Sequence, residues 1–209
     1  MSKIIAIMFL LCCGMMLFGC ADDNGRRKAE QQKTIVVTDS VGRKVELPYP
    51  LERVAVCNVY NAELITAVGV IDKIVGVDNY IFKDQSGFKN RFNEAQVFGI
   101  SQNAMNYEKL AELSPQAVII TGEGTWRDAQ EMLDRFGIKV IVINSYYTDQ
   151  FADNCRLIGR IFGREEQAEE LVNYFNDKLA YIQKQLQGVP RRSLYFEYRT
   201  LGKTAVPGD

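Results

Sequence analysis

The side chains of this sequence that could do chemistry are aromatic rings, amides, carboxylates and a few cations; histidine is absent from all 209 residues. Without imidazole, Ser-His-Asp and Cys-His nucleophiles, His-ligated zinc and His-ligated haem are excluded. No paired carboxylates, thiolate beside a base or activated serine stand out, so catalysis has no positive support. Gly122-Glu123-Gly124 lies between an apolar run and an amphipathic one, where a glycine-rich loop could cradle a phosphate. The third glycine of a dinucleotide fingerprint would fall on Arg127, which argues against a nucleotide-dependent enzyme. The remaining positions of interest are Asn58, Tyr60, Tyr80, Phe82, Asn103, Thr121, Trp126, Tyr146 and Tyr147, with Tyr198, Arg199 and Lys203 further on. Aromatic walls with a few amide and charged groups suit a large, flat or chelated small molecule with polar groups at its rim. Arg199 or Lys203 would pair with carboxylates of such a molecule. Surface turns also hold Tyr and Asn without any ligand, and that plain reading stands beside the functional one.

These residues become neighbours only if the chain folds as a parallel sheet, whose strands carry ligand-binding loops at their carboxyl ends. Residues 34–38 and 43–47 are extended segments around the turn residues 39–42, a β-hairpin that Pro48 and Pro50 end. Short apolar runs at 53–57, 74–77, 117–120 and 139–143 then read as buried strands, with 97–98 a minor one. Helices are expected over 62–68, from Asn106 to before Pro115, over 126–136 with Thr125 as cap, and over 149–162; 78–96 reads as a loop. β-branched runs alternating with helices make this an α/β lobe with a parallel sheet covered on both faces. The ligand loops are then 58–61, 78–82, 101–103, 121–126 and 144–148.

A longer helix follows, with Ala168, Leu171, Val172, Phe175, Leu179, Ile182 and Leu186 in a single stripe that predicts packing onto the globular body. Residues 193–198 read as a further strand, which either joins the first sheet or opens a second lobe. The organisation expected is the latter, with a lobe over 34–162, a linking helix over 163–188 and the beginning of a second α/β lobe over 189–209, most of that lobe lying beyond the sequence.

With 25 Lys and Arg against 26 Asp and Glu there is no broad basic field, which argues against a nucleic-acid partner. Lys3 precedes an uncharged apolar run to Gly19, slightly shorter than the roughly 20 residues that span a bilayer and shaped as an export signal. It ends in Leu17-Phe18-Gly19-Cys20, which resembles the lipobox of bacterial lipoproteins. That resemblance implies a signal peptide over 1–19, lipidation of Cys20 and an exported protein anchored to the outer face of the cytoplasmic membrane or held in the periplasm. Phe18 is larger than the residue usual in that place. An uncleaved membrane anchor is the alternative, and it too puts the rest of the chain outside. Residues 20–33 are polar and read as a flexible tether. Cys57 and Cys155 are expected as buried free thiols.

Seven segments in order carry a wider resemblance: Thr38-Asp39-Ser40-Val41-Gly42-Arg43 with Lys44 to Pro48; Glu52-Arg53-Val54 with Asn61-Ala62-Glu63-Leu64; Ala67-Val68-Gly69; Asp72-Lys73-Ile74-Val75-Gly76-Val77; Met105-Asn106-Tyr107-Glu108-Lys109-Leu110; Leu113-Ser114-Pro115-Gln116-Ala117-Val118-Ile119; and Phe136-Gly137-Ile138-Lys139-Val140. They resemble the iron-siderophore, haem and cobalamin class of ABC-importer substrate-binding proteins, in which one long helix joins two α/β lobes. Gln116 stands where that class usually has Asp. The resemblance implies a binding protein without a catalytic cofactor, whose ligand is a ferric siderophore, related iron chelate, haem or corrinoid. Its partners would be an ABC permease and, through the lipid, the membrane. It also implies that Glu108 docks on the permease, although a carboxylate at a helix start is favoured by the dipole in any case. A surface adhesin or sensor on the same fold is the alternative.

Overall fold

The computed structural model describes residues 33–84, 86–190 and 192–193. Cys20, Tyr198, Arg199, Lys203, the signal and tether segments and all but the start of the 189–209 segment lie outside the described residues. The chain opens with strands β1 (Thr34–Thr38) and β2 (Lys44–Pro48), paired antiparallel from Thr34 opposite Pro48 to Thr38 opposite Lys44. Their turn is held by Asp39, whose Oδ1 accepts the N–H groups of Val41 (3.2 Å) and Arg43 (2.9 Å).

The lobe is built on four parallel strands, β3 (Val54–Val56), β4 (Ile74–Val77), β5 (Ala117–Ile120) and β6 (Lys139–Val142), in the order β4-β3-β5-β6. Every residue of β3 and β5 is buried, as expected where helices cover both faces of a parallel sheet. Alternation along the strands divides the core in two. Val54, Val56, Ile119 and Ile141 pack on one side with Ile65 of α1 (Val59–Ala67) and Ile158 of α5 (Phe151–Phe162). Ala55, Val118, Ile120 and Val142 pack on the other with Leu110 of α3 (Tyr107–Leu113) and Leu133 of α4 (Trp126–Asp134). Between β4 and α3 the chain also forms α2 (Asn79–Lys83) and a 3-10 turn at Glu94–Gln96.

Several boundaries differ from the sequence expectation for local reasons. Helix α1 starts earlier, because Asn58 caps it by accepting the Tyr60 N–H at 2.9 Å. The 78–96 loop holds a short helix, because the Asp78 carboxylate accepts the Ile81 N–H at 2.9 Å. Residues 97–98 form no strand; Val97 makes one bridge to Val77. Thr125 does not cap α4 with its side chain, since its Oγ1 donates to Gln102 O (3.3 Å) and Asn103 Oδ1 (3.2 Å). Cys57 and Cys155 are buried and unpaired, and burial pushes the Cys155 thiol up to about 12.

The long helix α6 (Glu165–Gln185) departs most from expectation. It follows α5 through Gly163 in the left-handed conformation, and Gly159 lets the two helices approach: a Cβ there would lie 2.5 Å from that of Ala168. Ala168 and Val172 are buried, and Phe175 stacks on Phe151 with ring centroids 4.1 Å apart. Leu179, Ile182 and Leu186 of the same stripe are 42%, 50% and 58% exposed, so only the first half of the helix packs onto the lobe.

Candidate ligand-binding surface

The loops at the carboxyl ends of β3 to β6 are tied to one another by side-chain hydrogen bonds, so that residues distant in sequence form one rim. Strand β3 leads to Asn58, which sits at φ 77° and donates its N–H to Asp78 Oδ2 at 3.0 Å, joining the β3 and β4 loops. Burial holds the Asp78 carboxyl above its usual range even though backbone N–H groups of Asn58, Ile81 and Tyr80 oppose the shift. From the β6 loop, Ser145 Oγ donates to Asn61 Oδ1 at 2.7 Å, and Asn61 Nδ2 donates to the Cys57 carbonyl at 3.2 Å. Asn144 Oδ1 accepts the Gly122 N–H at 2.7 Å, joining β5 to β6. The hairpin turn joins this net as well: Ser40 Oγ donates to Asn154 Oδ1 at 3.0 Å, Asn144 N–H donates back to Ser40 Oγ at 3.2 Å, and Asn154 Nδ2 donates to the Asn144 carbonyl at 3.0 Å.

The 101–103 segment is fastened to the β5 loop. Gln102 Oε1 accepts from Thr121 N–H (3.0 Å) and Thr121 Oγ1 (2.8 Å), and its Nε2 donates to the Glu123 carbonyl. Gly124, at φ 78°, lies so close to Asn103 that a Cβ would meet the amide oxygen at 2.4 Å. The glycines of the Gly122-Glu123-Gly124 loop are therefore spent on packing within the protein rather than on an open phosphate cradle. Tyr146 OH donates to Glu123 Oε1 at 3.0 Å, and its ring lies 4.3 Å from that of Tyr147. Burial, with hydrogen bonds to Tyr147 and Glu123, raises the Tyr146 phenol above its ordinary range.

Of the residues singled out from sequence, Asn58, Tyr60, Asn103, Thr121 and Tyr146 come together on this rim. Asn103, Tyr147 and Tyr60 are open to solvent, Tyr60 by 54%. Thr121 is buried and acts by holding Gln102. Trp126 differs from expectation. It is 8% exposed, belongs to the core under α4, and carries the guanidinium of Arg43 at 4.2 Å and of Arg127 at 4.1 Å from its ring centroid. Arg43 in turn donates to Asp39 at 3.0 Å and 2.6 Å and to the Val140 carbonyl at 3.2 Å, latching the hairpin onto β6. The ring is thus committed to the hairpin latch. Gln102, Glu123, Asn144 and Ser145 carry no individual signal in the sequence, because an uncharged or lone acidic loop residue is informative only once its partners are known. Glu108 is exposed in the first turn of α3, where Asn106 caps the helix by accepting the Lys109 N–H at 2.9 Å; Lys109 pairs with Glu112 at 3.0 Å.

Among the described residues no group of three or more Cys, Asp or Glu is placed to hold a metal ion. No described helix is long and apolar enough to cross a membrane.

Comparison with known proteins gives a consistent picture. The pattern of the periplasmic binding protein family matches residues 54–209. The Bacillus subtilis (strain 168) protein YvrC, described as an uncharacterized ABC transporter substrate-binding lipoprotein, is 23% identical over 199 residues, covering 90% of this chain and 61% of the relative. A periplasmic solute binding protein from Veillonella parvula superposes with a TM-score of 0.64 at 28% identity, over 76% of this chain and 50% of that one. Two further structures share the fold. Staphylococcus aureus SirA, complexed with staphyloferrin B, has a TM-score of 0.61 at 21% identity, over 74% of this chain and 51% of that one. Haemophilus influenzae MolA, bound to molybdate, has 0.64 at 21%, over 75% and 55%. The chain spans between 50% and 61% of the length of these relatives. With three quarters of the sequence under one family pattern and an α/β lobe to match, the chain belongs to the periplasmic binding protein family, whose members bind solutes rather than transform them.

Proposed function

We propose that the protein is the substrate-binding lipoprotein of an ABC importer. It captures a ferric siderophore, a related iron chelate, haem or a corrinoid and delivers it to a membrane permease. The observation that carries this reading is the match to the family pattern over 54–209, together with a carboxyl-end rim on which exposed tyrosines and amides stand on a hydrogen-bonded base. A rigid base favours binding because little side-chain order has to be created when the ligand arrives. The substrate-binding lipoprotein nature of the Bacillus subtilis relative and the bound staphyloferrin B of SirA support the same reading. In it, Tyr198 and Arg199 also contact the ligand, Cys20 carries the lipid, and the anchor raises the local concentration of the protein at its permease.

Glu108 is the permease-docking residue of this proposal, since its carboxylate is exposed and its neighbour Lys109 is engaged by Glu112. Calorimetric titration with a ferric trihydroxamate, a ferric catecholate, haemin and cyanocobalamin tests the first part; binding of at least one at about 1 μM or tighter is expected, roughly 8 kcal/mol. Failure of all four overturns it. Glu108→Lys is expected to leave that affinity unchanged and to abolish stimulation of the importer's ATPase. Undiminished stimulation would remove Glu108 from the docking surface.

A further inference from the structure

The five rim segments, residues 57–61, 78–80, 101–103, 121–125 and 143–147, contain no lysine and no arginine. They contain two acids, Asp78 and Glu123. Asp78 is buried and spent on backbone N–H groups at 2.9 Å and 3.0 Å. Glu123 is exposed, and one of its oxygens accepts the Tyr146 hydroxyl at 3.0 Å. Its backbone is fixed by Gln102 at the carbonyl and by the tight contact of Gly124 with Asn103, and the Tyr146 hydroxyl orients its carboxylate. No ion pair among the described residues includes it.

Of the features that would favour an anion, most are already used. Helix starts attract anions through unsatisfied N–H groups. At α1 the Tyr60 N–H is taken by Asn58, and at α2 the Ile81 N–H is taken by Asp78, whereas α4, which opens from the β5 loop, has no side-chain cap. The nearest arginines in sequence to the β5 loop and the hairpin turn, Arg127 and Arg43, each hold their guanidinium against the Trp126 ring, and Arg43 is further bound by Asp39. Beside the start of α4, the rim presents hydroxyls, amides, tyrosine rings and one carboxylate oriented by a tyrosine hydroxyl. A carboxylate beside the paired rings of Tyr146 and Tyr147, 4.3 Å apart, suits an ammonium or an N–H donor, which the ring faces also attract. It repels an anion placed at the same spot.

We propose that Glu123, oriented by Tyr146, is the specificity-determining residue of this lobe. In this assignment it receives an ammonium or amide N–H of the ligand, and the ligand face turned toward the lobe is uncharged or cationic. The assignment rests on the chelate-binding reading above and narrows it, since carboxylate-rich anionic chelates are disfavoured on this face.

The test holds the chelate core constant and changes only its charge. A ferric trihydroxamate with a terminal ammonium is compared with its N-acetyl and N-succinyl derivatives, cyanocobalamin with its monocarboxylate, and ferric citrate serves as a small anionic chelate. On whichever core binds, the anionic form is expected to bind at least tenfold more weakly than the cationic or neutral form. Glu123→Gln is expected to shrink that ratio to about threefold or less, and Glu123→Lys to reverse its sign; Tyr146→Phe lowers the ratio less than Glu123→Gln. Equal or tighter binding of the anionic form by the wild-type protein, binding of ferric citrate alone, or a ratio unmoved by Glu123→Lys overturns the role of Glu123 while the chelate-binding reading stands. Failure of every probe to bind overturns both.

Discussion

The carboxyl-end rim and the second half of α6 both face solvent, yet they differ in how their exposed groups are satisfied. On the rim, amides and hydroxyls from separate strands complete one another, as Gln102 does for Thr121 and Asn144 for Gly122. Among the described residues no buried side-chain nitrogen or oxygen lacks a partner. On α6 the apolar stripe runs past the lobe, and Leu179, Ile182 and Leu186 face water. Polar groups can be satisfied by short loops brought to one edge of a sheet, because a hydrogen bond needs only one well-placed partner. An apolar face needs a second surface, since its stabilisation scales with the area covered. The rim is therefore complete on this lobe, whereas the stripe is covered only as far as the lobe reaches.

The largest expected effect falls where α6 is clamped. Gly159→Val places a side chain against Ala168 and the Arg164 carbonyl, 2.9 Å from the first added carbon, and is expected to cost about 3 kcal/mol in urea unfolding. A midpoint unchanged from wild type would mean that the two helices separate without loss, and the proximal half of α6 would then be no better anchored than the distal half. Next comes the stripe itself. Val172→Ala, in the buried half, is expected to lose about 2 kcal/mol, and Ile182→Ala within about 0.5 kcal/mol of zero. Equal losses would show that Ile182 is covered in solution, which breaks the contrast within the helix.

On the rim, Asn144→Ala removes the acceptor of the Gly122 N–H and is expected to cost about 1 to 2 kcal/mol in the same measurement. A smaller change than Ile182→Ala would mean that the loops hold their places without the net. The smallest effect is on pH dependence. Burial raises the Asp78 carboxyl, so the folded protein binds that proton more tightly than the unfolded chain does. Its contribution to stability is present below the unfolded value, near pH 4, and is lost as pH rises through the folded value. Asp78→Asn is expected to flatten that fall above about pH 4, whatever its effect on absolute stability. An identical slope in the variant would show that Asp78 carries none of it.

Much of the lobe was legible in the sequence. The runs at 74–77 and 117–120 coincide with β4 and β5, because a fully buried parallel strand is a short β-branched stretch that little else resembles. The hairpin was legible from its turn residues, and the ends of α1 and α4 from Gly69 and Gly137. Helix starts were less so: Asn58 and Asp78 act as caps only once the chain ahead of them has turned, and a polar residue ahead of a short helix looks like any loop residue. The rim was half legible. Parallel strands place their loops at one end, which put Tyr60, Asn103 and Tyr146 in one neighbourhood, but Trp126 went instead to the core under Arg43.

The sequence by itself determined the α/β class, the order of its segments and the absence of histidine chemistry, since composition and periodicity are properties of single residues and near neighbours. Tertiary structure decided which side chains are spent and which are offered. Trp126 is buried with two guanidinium groups against its ring, Thr121 is turned inward to Gln102, Asp78 is consumed by backbone N–H groups, and the stripe of α6 is covered for half its length. Each of those outcomes depends on a partner many positions away, and no local pattern encodes where that partner will stand.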